Sequence, residues 1–145
     1  MFKIDNMLKN RLENIAKIYN CTVVFNCPHV DDNEAAIAGS DDIMLGRFLE
    51  EDWMIAAFFH EIGHSVSKYV HQDHHQKIVY EIEAWRCGFQ EMQRQMFPIS
   101  FDTIQYCLMK LDTYVDWNWR EMPFNSCITL MNNIRKYYKQ EITND

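Results

Sequence analysis

The chain has 145 residues, 48% of them hydrophobic and 14% aromatic, with only four glycines and three prolines; this fits one folded domain with a substantial core and excludes a disordered or loop-rich scaffold. A formal charge of -7 argues against broad binding to a phosphate backbone, which needs a cationic surface to release counterions. The five cysteines form no CxxC pair and are odd in number, which reads as reduced thiols in a cytosolic compartment.

From Asp5 to about Tyr19, apolar residues recur at Met7, Leu8, Leu12, Ile15, Ala16 and Ile18, a spacing that predicts one face of a helix. Cys21 to Asn26 is short and β-branched and is ended by Cys27-Pro28, so a strand is predicted there. The acidic stretch Asp31 to Glu34 reads as a loop, and Ala35 to Gly39 and Ile43 to Leu45 as two short strands joined through Ser40-Asp41-Asp42. A long apolar helix is predicted from Glu50 to about Val70, opening on Glu50, Glu51 and Asp52, acids that suit the positive end of a helix dipole. The polar run His71 to Gln76 interrupts it, and helical spacing resumes from Lys77 to Met96, where Pro98 prevents continuation. Two further helices are predicted, Phe101 to about Val115 and Asn125 to about Lys139, separated by the Trp-rich Asp116 to Phe124.

These elements make an α+β fold, mostly helical with a small N-terminal sheet. Residues 1–140 are expected to form a single domain, with 141–145 a short tail. Neither an apolar N-terminal stretch of signal length nor a run of roughly 18 apolar residues is present, so secretion and membrane insertion are not expected and the cytoplasm is the expected location. The basic, aromatic segment Arg135 to Lys139 reads as a solvated helix face rather than a nucleic-acid contact.

The chemistry concentrates in His60-Glu61-Ile62-Gly63-His64, an H-E-x-x-H pattern. Residues four apart on a helix lie one turn apart on the same face, so His60 and His64 can meet one metal ion. Zinc accepts imidazole nitrogen readily, and catalytic zinc usually takes three protein ligands and leaves a fourth place for water. Glu61 would stand beside that water as base. Ile55, Phe58, Phe59, Ile62 and Val66 fall on the side away from the histidines, whereas Ala56, Ala57, Gly63 and Ser67 flank them with small side chains that leave room.

A third ligand is needed, and the next helix offers Glu81 and Glu83. Ile78, Ile82, Trp85, Phe89, Met92 and Met96 define its buried stripe; Glu81 borders that stripe, while Glu83 shares the opposite face with Arg86, Gln90 and Arg94. A carboxylate is seldom buried unless paired or metal-bound, which favours Glu81 as ligand over Glu83. His71 follows His64 by roughly two turns, about 10 Å, too far to share the ion directly; His71, His74 and His75 read as loop residues. Ser67 and Val70 stand where the longer H-E-x-x-H-x-x-G-x-x-H pattern requires Gly and His, which excludes that subclass. Cys27 and His29 are too few to indicate a second metal site.

Three segments carry a family resemblance: Ala38 to Leu45, Ala56 to His64, and Glu81-Ile82-Glu83-Ala84-Trp85. Together they resemble the zincin metallopeptidases, specifically the ImmA/IrrE-like group often encoded by phages and mobile elements. The resemblance implies a zincin-like fold in which Ala38 to Leu45 is the edge strand before the active-site helix, and in which a Glu three residues before an Ala completes the zinc site, here Glu81 before Ala84. It covers about a third of the chain, and Gln95-Met96-Phe97-Pro98 only faintly echoes the Leu-Met-Pro segment usual after the ligand helix. Members of the group act on transcriptional repressors, but no helix-turn-helix or sensor segment stands out here. The expected function is zinc-dependent hydrolysis of a peptide bond in an intracellular protein, in a host cytoplasm if phage-encoded. The alternative is a zinc-stabilised, non-catalytic protein that sequesters a host regulator or defence component. The sequence does not specify the oligomeric state.

Overall fold

The computed structural model describes residues 2–38, 41–67 and 77–118. Helix α1 (Asn6–Ile18) starts where the Asp5 carboxylate accepts from the Leu8 N–H at 2.8 Å, a side-chain N-cap. It ends in a Schellman motif: Asn20, at φ 58°, donates to the Lys17 carbonyl, and Cys21 donates to that of Ala16. Leu12, Ile15 and Ala16 face the core, whereas Met7 and Ile18, expected on the same stripe, are 82% and 63% exposed. Their neighbours Leu8 and Tyr19 do pack on the core, so it is helical phase that turns Met7 and Ile18 away from it.

Strands β1 (Thr22–Val24), β2 (Ala35–Ala38) and β3 (Asp42–Leu45) form one sheet in the order β1-β3-β2. Strand β1 runs parallel to β3 with Val23 opposite Ile43, and β2 runs antiparallel to it with Ile37 opposite Ile43. The edge strand expected within Ala38 to Leu45 is therefore misplaced by the sequence reading. Strand β3 is central, with residues 42–44 paired on both sides, and β2 before it is one of the two edges. Strand β1 is shorter than predicted because Asn26 turns at φ 52° and Cys27 already bonds back to the Leu45 carbonyl.

Helix α2 (Glu51–Val66) packs on β2 and β3, and α3 (Lys77–Arg94) and α4 (Phe101–Asn118) pack on α2 and on each other, giving a small mixed α+β domain. The core joins Leu12, Ile43 and Leu45 to Phe58, Phe59 and Ile62 of α2, Trp85 and Met92 of α3, and Ile104 and Cys107 of α4. Helices α2 and α3 meet backbone against backbone: a Cβ on Gly63 would fall 1.8 Å from the Ala84 carbonyl oxygen, and one on Gly88 would fall 2.6 Å from that of Phe59. Ser100 fastens α4 to α2, donating its hydroxyl to Asp52 at 2.7 Å while accepting from the Thr103 N–H.

Helix α3 stops at Arg94, not Met96. Met96 adopts φ 61° and donates to the Gln93 carbonyl while Phe97 donates to that of Met92, so a second Schellman motif swings Met96 out (84% exposed) and buries Phe97 in its place. Helix α4 in turn runs past Val115 to Asn118, into the segment read as a separator. The predicted helix Asn125 to Lys139, the loop histidines His71, His74 and His75, Cys127 and the 141–145 tail lie outside the described residues. Cys21, Cys27, Cys87 and Cys107 are free and buried. No helix among the described residues is long and apolar enough to cross a membrane.

Candidate metal centre

Helix α2 is buried along most of its length, from Met54 to Phe59 and again from Glu61 to Gly63. His60 and His64 interrupt this run on one side, where the helix faces α3 across the Gly63–Ala84 contact. The small side chain at Gly63 does not leave room for a ligand, as its position beside the histidines suggested; it admits the α3 backbone. Ala57, by contrast, does line the cleft in front of the histidines.

That close approach brings Glu81 to both imidazoles. Glu81 Oε2 lies 2.8 Å from His60 Nε2 and 3.3 Å from His64 Nε2, and the two Nε2 atoms are 3.2 Å apart. Two atoms each bound at about 2.05 Å to a tetrahedral ion would be about 3.3 Å apart. Two of the three separations match that figure and the third, at hydrogen-bond length, is shorter; two ring nitrogens and one carboxylate oxygen are donor types that a divalent metal accepts. With both rings protonated at Nδ1, three lone pairs converge, and a shared proton or a cation must fill the place between them. The Glu61 carboxylate and the two histidines offer ligand atoms that all lie within 4.8 Å of one another. Glu81 Oε2 lies within 3.3 Å of both ring nitrogens, so two carboxylates, Glu61 and Glu81, border the histidine pair.

Glu83, the rejected alternative, pairs with Arg86 at 2.8 Å on the outer face of α3. Cys27 is buried and His29 exposed, and neither belongs to the metal-competent group at His60, Glu61 and His64.

The electrostatics separate the two glutamates. Burial alone would raise Glu81, but hydrogen bonds from His60 and His64 outweigh it and hold the carboxyl down at about 2. Burial lowers His64, yet its bond to Glu81 outweighs that effect and raises it above its usual value. Glu61, only 7% exposed, is pushed up by burial, with the His60 and His64 charges opposing. One carboxyl is thus held ionised while its neighbour is pushed toward the neutral form.

In front of the donors lies a cleft of about 190 Å³. Its walls include Glu34 and Ala35 at the start of the edge strand, Trp85 of α3, and Tyr106 and Lys110 of α4. Lys110 pairs with Glu34 and lies 5.2 Å from the centroid of the Tyr106 ring, whose hydroxyl donates to the Asn33 carbonyl at 2.9 Å. No protein-family model, curated protein or solved structure matches this chain. The reading of the site therefore stands on its own residues.

Two groups of residues were missed in the sequence. Trp85 stacks on His60 with centroids 4.2 Å apart, and Tyr80 lies against His64 at 4.5 Å. Trp85 had been assigned to the buried stripe, and nothing in its spacing distinguishes a ring packed on a ligand from one packed on core. Lys110 and Tyr106 reach the cleft from a helix almost fifty residues beyond the motif, and only the tertiary packing of α4 reveals them.

Proposed function

We propose that this chain is a zinc-dependent peptidase of the ImmA/IrrE-like zincin type, with His60, His64 and Glu81 holding the metal and Glu61 as general base. The observation that carries this reading is the convergence of His60 Nε2, His64 Nε2 and Glu81 Oε2 within 2.8–3.3 Å, with the Glu61 carboxyl beside them. A bound zinc ion would supply Lewis acidity, lowering the pKa of a coordinated water to about 7 and polarising the scissile carbonyl. Glu61 takes the proton of the attacking water and returns it to the leaving amine, a task suited to a carboxyl raised by burial. The position of β2 at an edge of the described sheet, with its first residue lining the cleft, supports an extended peptide substrate paired through its backbone.

The test is Glu61→Gln measured for both zinc content and cleavage of a peptide library. The expected result is retained stoichiometric zinc with turnover reduced by about 10²- to 10⁴-fold. Turnover unchanged in the variant would reject Glu61 as base. A wild-type protein that binds zinc but leaves every peptide intact would favour the zinc-stabilised, non-catalytic binder.

A further inference from the structure

Metal-binding histidines are ordinarily oriented by a hydrogen bond from the second ring nitrogen to a carboxylate, a backbone carbonyl or water. Here the Nδ1 atoms of both His60 and His64 are buried and meet no protein hydrogen-bond acceptor among the described residues. Each ring instead has an aromatic side chain of α3 against it: Trp85 is stacked on His60 with planes 24° apart, and Tyr80 lies over His64 with planes 32° apart. Tyr80 precedes Glu81 by one residue and Trp85 follows it by four, so one stretch of α3 supplies the carboxylate donor and both rings.

Resting on the metal-site reading above, we propose that Trp85 and Tyr80 form an aromatic clamp that positions the two imidazoles. A ring packed against each imidazole face restricts its rotation and so helps to fix the direction of Nε2. Core packing alone accounts for Trp85, which also contacts Phe89 and Tyr106. It accounts less well for Tyr80, which is only partly buried, stands outside the core cluster and lies against His64.

The test compares Tyr80→Leu with Tyr80→Phe, and Trp85→Leu with Trp85→Phe, by zinc dissociation constant in chelator competition and by the visible absorption of the Co²⁺-substituted protein. The clamp predicts zinc bound at least about tenfold more weakly, with an altered Co²⁺ spectrum, in each Leu variant. Each Phe variant, which keeps a ring, should stay within about threefold of wild type. The melting temperature of the zinc-free protein serves as the folding control, and if Trp85→Leu does not fold, the Tyr80 pair decides. Leu variants with wild-type affinity and spectrum overturn the clamp alone. Equal losses in Tyr80→Phe and Tyr80→Leu also overturn it, because the hydroxyl would then be responsible. A wild-type chain that binds neither zinc nor Co²⁺ overturns the metal reading on which the clamp rests.

Discussion

Gly63→Ala is the substitution that most sharply probes how the fold builds the site. On an exposed helix the change would add about 1 kcal/mol of helix propensity. Here the new Cβ would sit 1.8 Å from the Ala84 carbonyl oxygen, and reaching even a 3.0 Å approach requires α2 and α3 to separate by about 1.2 Å along that contact. The clashing atom is backbone, so no side-chain rotation relieves it. Metal–ligand bonds tolerate deviations of only about 0.2 Å, and the two histidines flanking Gly63 belong to one helix while Glu81 belongs to the other. Separation therefore pulls Glu81 away from both rings. We expect a loss of about 1–3 kcal/mol in the stability of the zinc-free protein, read by urea denaturation, and zinc bound about 10- to 100-fold more weakly, read by chelator competition. A variant that keeps wild-type stability and zinc affinity would refute the claim that backbone contact at Gly63 sets the position of Glu81.

Other consequences are open to measurement. Zinc bound to the native state alone, at free metal 100 times its dissociation constant, adds about 2.7 kcal/mol, so chelation should lower the melting temperature by roughly 8–12 °C. The zinc-free protein should show a pH profile shaped by three groups. Glu81, held at about 2 in the folded chain, stabilises it above the ordinary carboxyl value of 4.5, and on the order of 2–3 kcal/mol is lost as the pH falls from there toward 2. His64, raised, stabilises it below 6.5, and that contribution disappears as the pH rises through the elevated value. Glu61, also raised, favours the fold while protonated and withdraws that support as it ionises. Denaturation of the chelated protein across pH 2 to 9 should therefore show greatest stability from these groups on the mildly acidic side of neutrality, and a profile rising steadily through pH 8 would contradict the assignment.

Much of this arrangement was legible in the residues because it follows from helical periodicity. The four-residue spacing of His60 and His64 put both on one face, and the stripe through Ile82, Trp85, Phe89 and Met92, all buried, placed Glu81 at its border and Glu83 outside. Periodicity also explains the errors. It carried α3 on to Met96 because only Pro98 looked like a stop, whereas a left-handed Met96 ended the helix two residues earlier without the glycine that usually announces such a turn. It could not rank the strands, because which of three short segments lies at the edge depends on the parallel pairing of β1 with β3, a contact between residues twenty apart in sequence. The role of Gly63 was misread for a similar reason: a missing side chain leaves room equally for a ligand or for a neighbouring backbone, and only the packing of α3 decides between them.

The most direct measurement is the zinc content of the purified protein beside that of Glu81→Gln and Glu83→Gln, by mass spectrometry of the metal after exhaustive dialysis. The account predicts equimolar zinc in the wild type and in Glu83→Gln, and its loss in Glu81→Gln. Equal zinc in the wild type and Glu81→Gln, or a wild type that retains none, would contradict it.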